Sequence, residues 1–175
     1  NNTIEISVVD KAGNVGRSSI IVYVDTIDPV AEFYDVITPT NEEIFYLNWR
    51  VSDNHELKSI FIRENGILIH SGILQGQQRI LLKPIEGIHN YELIAIDIVG
   101  RETKDQIEIL VDHSDPLLER FFFENSNGIL IIHWECSDKE SGVFSVSFLF
   151  NGDLHESIIS TGTWSFDKIH PGVYE

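Results

Sequence analysis

The sequence predicts an all-β protein built from tandem antiparallel β-sandwiches, and three observations lead to this prediction. Hydrophobic residues recur with a period near two along most of the chain, which is the pattern of strands. The turn dipeptides Asn65-Gly66 and Asn151-Gly152 each separate two such runs. Finally, the sequence resembles itself at a shift of about 86 residues, which indicates repeated modules of one kind.

The clearest strand runs from Phe45 to Val51. Phe45, Leu47, Trp49 and Val51 alternate there with polar or half-polar residues, as expected of an antiparallel strand with one buried face. The cluster Ser52-Asp53-Asn54 then ends it as a turn. Runs rich in β-branched and aromatic residues predict further strands over 4–9, 19–24, 59–62, 79–82, 91–96, 106–111, 129–134 and 143–150.

The two Asn-Gly dipeptides predict β-hairpins. A type I′ turn needs positive φ at both central residues, and Asn followed by Gly is the pair that adopts this conformation most readily.

The repeat is most evident in a short proline-containing segment. Val24-Asp25-Thr26-Ile27-Asp28-Pro29 recurs as Val111-Asp112-His113-Ser114-Asp115-Pro116, and Trp49, Ser52 and Asp53 recur as Trp134, Ser137 and Asp138. A module of about 86 residues with seven or so short strands is typical of an Ig-like β-sandwich. The proline segment fits the linker between modules, because proline cannot donate a hydrogen bond to a central strand.

This register divides the chain into three parts. Residues 1–26 match the last two strands of a preceding module, residues 27–112 form a complete Ig-like module, and residues 113–175 form a module without its last strands. The first and last modules are therefore expected to be incomplete. Either the chain is a segment of a longer array, or the leading hairpin completes a trailing module, within one chain or between neighbours, by β-strand complementation.

Three stretches resemble a known family: Ser52–Gly66 (SDNHELKSIFIRENG), Tyr91–Glu102 (YELIAIDIVGRE) and Ile6–Pro29 (ISVVDKAGNVGRSSIIVYVDTIDP). They are similar to the tandem bacterial and archaeal Ig-like modules, of the Big or fibronectin III-like type, found in large cell-surface proteins. The resemblance implies an extracellular or cell-surface location and neighbouring Ig-like modules as partners. It also implies a structural role as a spacer, stalk, surface layer, filament or adhesin.

Charge and hydropathy restrict the function further. The chain has 12 Lys and Arg against 28 Asp and Glu, a formal charge of −16. We therefore expect no nucleic-acid binding steered by overall charge. No apolar run approaches the roughly 18 residues of a membrane span, so we expect no membrane insertion.

The acidic residues of turns and linkers are the candidates for a ligand site. Their carboxylates are hard oxygen ligands suited to calcium, which takes about six to eight oxygens. The alternative is that they only accept hydrogen bonds from nearby backbone N–H groups in Asx-turns. The candidate calcium ligands are Asp25, Asp28, Asp53, Asp97, Asp112, Asp115 and Asp138.

We expect no catalytic residues and no enzyme activity. The spacing of the histidines matches no zinc motif, and Cys136, on the same face as Trp134, is expected to be a small buried residue. The run Phe121-Phe122-Phe123 must expose at least one ring if it is a strand, and such a ring either packs against an adjoining module or binds a sugar. A carbohydrate- or partner-binding accessory module of a surface enzyme is therefore the alternative function. Glycans and cell-surface proteins are its possible partners.

Overall fold

The computed structural model of the protein describes residues 2–166, and within this range every regular element is a β-strand. The strands are β1 (Asn2–Val9), β2 (Val15–Val22), β3 (Val30–Tyr34), β4 (Phe45–Ser52), β5 (Leu57–Glu64), β6 (Ile67–Gly72), β7 (Gly76–Leu82), β8 (Gly87–Asp97), β9 (Glu102–Val111), β10 (Leu117–Ser126), β11 (Ile129–Ser137), β12 (Val146–Phe150), β13 (Asp153–Ser157) and β14 (Thr161–Phe166). This confirms the all-β fold class.

Strand β4 shows how the alternating pattern determines which face is buried. Leu47, Trp49 and Val51 are each 1% exposed, whereas Arg50 and Ser52 point to the other face and are exposed. Strand β3 pairs with β4 in the register Ala31↔Val51, and Ala31 is buried on the same face. The period of two therefore produces one continuous apolar surface across the two strands.

Strands β3 to β9 form two antiparallel sheets. One has the order β3-β4-β7 and the other the order β6-β5-β8-β9. Hairpin-connected neighbours and crossing connections between two sheets of three and four strands are the architecture of an Ig-like or fibronectin III-like β-sandwich. The predicted Ig-like fold is thus confirmed by the strand order of the chain itself.

The same strand order recurs later in the chain. Strands β10-β11-β14 form a three-stranded sheet and β12-β13 form a hairpin, as β3-β4-β7 and β5-β6 do earlier. Both predicted Asn-Gly turns have positive φ at both residues, at Asn65-Gly66 between β5 and β6 and at Asn151-Gly152 between β12 and β13.

The contacts divide the chain into two compact units. The first comprises the residues up to Val36 with Leu47–Ile80 and Asn90–Ile107, and its core contains Trp49, Ile62 and Leu93. The second comprises Ile37–Tyr46, Leu81–His89 and the residues from Glu108 on, and it buries Ile109, Val111, Ile132 and Trp134. The predicted module boundaries after residues 26 and 112 fall inside these units and stay predictions.

Some strands lack the alternation that would predict them. Strand β10 is exposed over all ten of its residues, so its apolar side chains follow no inside-outside pattern. The turn that joins it to β11 is a third Asn-Gly pair, Asn127-Gly128, with positive φ at both residues, and this dipeptide was the available signal. Cys136 is half-buried and free rather than fully buried.

Residues 2–166 include no helix that is long and apolar enough to cross a membrane.

The burial of β4 leads to a test of the core. Leu47→Ala removes a side chain that is 1% exposed and is expected to reduce the free energy of unfolding by about 2–5 kcal/mol. Leu74→Ala makes the same chemical change at a side chain that is 66% exposed, and its effect is expected to stay within about 0.5 kcal/mol. Urea denaturation of both variants measures the difference, and equal losses would contradict the assignment of the core.

Candidate metal centre

Three aspartates from separate parts of the first compact unit meet at one place. Asp25 lies in the linker between β2 and β3, Asp53 lies in the loop between β4 and β5, and Asp97 is the last residue of β8. One carboxylate oxygen of each residue lies within 4.8 Å of one from each of the other two. The fold therefore gathers three like charges that are up to 72 positions apart in the sequence.

Each of these carboxylates is held by a backbone N–H two residues further along the chain. The N–H of Ile27 donates to Asp25 Oδ1 at 3.0 Å, and that of His55 donates to Asp53 Oδ2 at 2.8 Å. The N–H of Val99 donates to Asp97 Oδ1 at 2.9 Å. These are Asx-turns, which local sequence can form by itself, and they fix the orientation of each side chain.

The second oxygen of each carboxylate has no such partner. Asp25 Oδ2, Asp53 Oδ1 and Asp97 Oδ2 are all enclosed and accept no hydrogen bond from the protein. Asp97 is the most deeply placed, since its residue is 0% exposed. An enclosed carboxylate oxygen without a partner is costly, and a bound cation is one of the few ways to compensate it.

The nearby positive charge is directed elsewhere. Arg101 Nη1 donates to Asp28 Oδ1 at 2.6 Å, and this bond, assisted by the charges of Asp28, Asp97 and Asp25, raises the pKa of Arg101. The pKa of Asp25 is lowered, chiefly by the N–H of Ile27, so this carboxyl group is ionised at neutral pH. The carboxylates of Asp28, Asp97 and Asp25 thus act on one guanidinium, whose single positive charge does not balance them.

The geometry suits a calcium ion. Calcium binds oxygen ligands at about 2.3–2.6 Å, so two oxygens on opposite sides of one ion are about 4.8 Å apart. Asp25, Asp53 and Asp97 fit within this limit. They would supply three of the six to eight oxygens that calcium takes. Magnesium has shorter bonds and retains most of its water, so a set of three carboxylates favours calcium.

A second acidic group lies in the other compact unit and differs in one respect. Glu86, Asp112 and Glu140 also bring their oxygens within 4.8 Å of one another. Both oxygens of Asp112 are occupied, however, because Oδ1 accepts the N–H of Ser114 and Oδ2 accepts the N–H of Ser141. Of these three residues, Asp112 also lines an open groove of about 310 Å³. Its central carboxylate does not need a cation to satisfy it.

The candidate ligands are therefore distributed over five environments. Asp25, Asp53 and Asp97 come together, and Asp28 pairs with Arg101 beside them. Asp112 joins Glu86 and Glu140, two residues that no spacing or motif in the sequence singled out. Asp138 accepts the N–H groups of Ser141 and Gly142, and Asp115 is exposed and belongs to neither group of the described residues.

The aromatic run of β10 is exposed as expected. Phe121, Phe122 and Phe123 are all exposed. The ring of Phe122 stacks on that of His133, its cross-strand partner, with the ring centroids 4.5 Å apart and an interplanar angle of 5°.

No protein-family model matches the sequence, and no curated protein matches it. Among solved structures, the fibronectin(III)-like modules of Clostridium thermocellum CbhA are similar, with 20% identity and a TM-score of 0.39 over 47% of this chain and 96% of that one. A Ca2+-stabilized adhesin that helps an Antarctic bacterium reach out and bind ice is similar with 12% identity and a TM-score of 0.38, over 93% of this chain and 47% of that one.

The hydrogen bonds to Asp112 predict a specific acid sensitivity. Ser141 and the N–H of Ser114 lower the pKa of Asp112 below its unfolded value. The stability that this group contributes is therefore present above the unfolded pKa of about 4 and is lost as the pH falls through the native pKa. Asp112→Asn is expected to be less stable than the wild type at pH 6 and to lose less stability between pH 6 and pH 3.

Chemical denaturation in the presence of chelator at several pH values measures this difference. Asp115→Asn removes one negative charge from an exposed linker position and controls for net charge. An Asp112→Asn profile parallel to that of the wild type would contradict the assigned role of these hydrogen bonds.

Proposed function

We propose that the chain is a structural module of an extracellular, cell-surface protein, and that a calcium ion bound by Asp25, Asp53 and Asp97 stiffens the linker between β2 and β3. The observation that carries this proposal is the set of three enclosed carboxylate oxygens that accept no hydrogen bond. The proposed role is structural: the ion would cross-link parts of the fold, and no reaction is assigned to it.

Calcium would stabilise the chain in two ways. It would compensate the mutual repulsion of the three carboxylates, and it would tie the linker to the β4–β5 loop and to the end of β8. Weaker contacts already hold the linker there, since Asn54 Nδ2 donates to Asp25 Oδ1 at 3.3 Å and Arg101 bonds Asp28. The ion would strengthen an attachment that the protein forms in part by itself.

The location is supported by the ligand set and by the sequence. Calcium sites of extracellular modules bind with dissociation constants of about 10⁻⁴–10⁻³ M, which suits a site with three protein carboxylates at a surface linker. The motifs of Ile6–Pro29 and Ser52–Gly66 resemble the Ig-like modules of surface proteins. The formal charge of −16 keeps such a surface hydrated and discourages association with polyanions.

The calcium site is tested by thermal unfolding with and without the ion. At a calcium concentration about 100 times the dissociation constant, binding to the folded chain alone stabilises it by about 2.7 kcal/mol, or about 5–10 °C in Tm. Asp25→Asn and Asp53→Asn are expected to abolish this shift, because each removes one ligand charge. Magnesium at the same concentration is expected to give a smaller shift.

Asp112→Asn is the matched control, because Asp112 occupies the corresponding position of the other linker and both of its oxygens are already hydrogen-bonded. It is expected to retain the calcium-dependent shift. A wild-type Tm that does not change on addition of calcium, or an equal shift in Asp25→Asn and the wild type, would refute the site.

Carbohydrate binding is the second candidate function, and the stacked pair Phe122 and His133 is the observation that favours it. A flat, exposed aromatic surface offers apolar contact to a sugar ring. Under this alternative, binding on a glycan array is expected to disappear in Phe122→Ala and to persist in Phe144→Ala, whose ring is 90% exposed and lies outside the strand. Absence of binding to every glycan would remove this candidate.

A further inference from the structure

Two turns in the first compact unit have the same backbone geometry. One runs from Asp10 to Asn14 between β1 and β2, and the other runs from Asp97 to Arg101 between β8 and β9. In each, Oδ1 of the aspartate accepts the N–H groups two and four residues further on, at 2.9 and 2.8 Å. The glycine at the fourth position has a φ of 92° in the first turn and 94° in the second.

The two turns differ in what occupies the other oxygen of the aspartate. In the first turn, Asn14 Nδ2 donates to Asp10 Oδ2 at 2.7 Å, so both oxygens of this carboxylate accept a hydrogen bond from the protein. In the second turn, Arg101 stands at the position of Asn14, and its guanidinium reaches away to Asp28. Asp97 Oδ2 is left enclosed and without a hydrogen bond. The side chain at the fifth position thus caps Oδ2 in one turn and leaves it uncapped in the other; the aspartates also differ in burial, since Asp10 is exposed and Asp97 is 0% exposed.

We propose, building on the calcium site proposed above, that the side chain at position 101 sets the calcium affinity of this turn by capping or not capping Asp97 Oδ2, and that arginine leaves this oxygen to the ion. Arginine at the fifth position of the turn leaves Asp97 Oδ2 free for the cation and holds Asp28 in an ion pair. Asparagine at this position caps the same oxygen with its amide, as it does in the Asp10 turn. In this chain, the residue at position 101 thus controls how available Asp97 Oδ2 is to an ion that Asp25 and Asp53 also bind.

The charge of Arg101 lowers the affinity for calcium, whereas the uncapped Oδ2 of Asp97 raises it. A guanidinium near Asp25 and Asp97 weakens the attraction of the cluster for a cation, so removing it should strengthen calcium binding. An amide donated to Asp97 Oδ2 should weaken binding, because the ion must displace it. Arg101→Ala and Arg101→Asn remove the same charge and the same ion pair, and they differ only in this amide.

Isothermal titration of the full chain with calcium chloride separates these effects. Arg101→Ala is expected to bind calcium at least as tightly as the wild type, and Arg101→Asn is expected to bind at least tenfold more weakly. In chelator, Arg101→Asn is expected to melt at a higher temperature than Arg101→Ala, because only the asparagine satisfies Asp97. This second measurement also verifies that both variants are folded.

The outcomes distinguish this inference from the proposed site. Equal calcium affinities of Arg101→Asn and Arg101→Ala would overturn the role of Arg101 and leave the site intact. Loss of binding in both variants would also overturn it, because the ion pair with Asp28 would then be the determinant. A wild-type chain that binds no calcium would refute the site itself, and the role assigned to Arg101 would fall with it.

Discussion

The carboxylates of Asp25, Asp53 and Asp97 carry like charges that the fold holds within 4.8 Å of one another. Folding brings the linker after β2, the β4–β5 loop and the end of β8 together, and the repulsion between the three carboxylates opposes this arrangement. Arg101 compensates a part of it, but its guanidinium is bonded to Asp28. The proposed calcium ion would supply a further positive charge, and its preference for oxygen ligands suits this position.

The site combines local and nonlocal causes. Each aspartate is oriented by an Asx-turn that needs only the backbone two residues ahead, so the turn survives wherever the motif occurs. The grouping depends instead on pairing across the sheet: β5 lies beside β8 in a register that places Leu57 opposite Asp97, and this brings the β4–β5 loop to the end of β8. The second acidic group illustrates the difference. Asp112 forms the same Asx-turn, but its remaining oxygen accepts a hydrogen bond from the N–H of Ser141.

The sequence predicted the features that depend on interactions between residues close together in the chain. The alternation in β4 and the turns at Asn65-Gly66 and Asn151-Gly152 were confirmed, because period and φ preference act over a few residues. Strand β10, all of whose residues are exposed, has no alternation to reveal it. All seven candidate ligands were aspartates of turns and linkers, but spacing alone does not indicate which of them meet, or that Glu86 and Glu140 join Asp112. Self-assembly by strand complementation stays a prediction, and part of the segment it concerns, 167–175, lies outside the described residues.

The most direct test of the central claim is a crystal structure of the chain grown with calcium, with anomalous diffraction to identify the ion. The account predicts one calcium ion bonded to oxygens of Asp25, Asp53 and Asp97 at about 2.3–2.6 Å, with Arg101 still paired to Asp28. A structure at millimolar calcium that shows no ion there, and in which Asp97 Oδ2 accepts a hydrogen bond from a protein group, would contradict it.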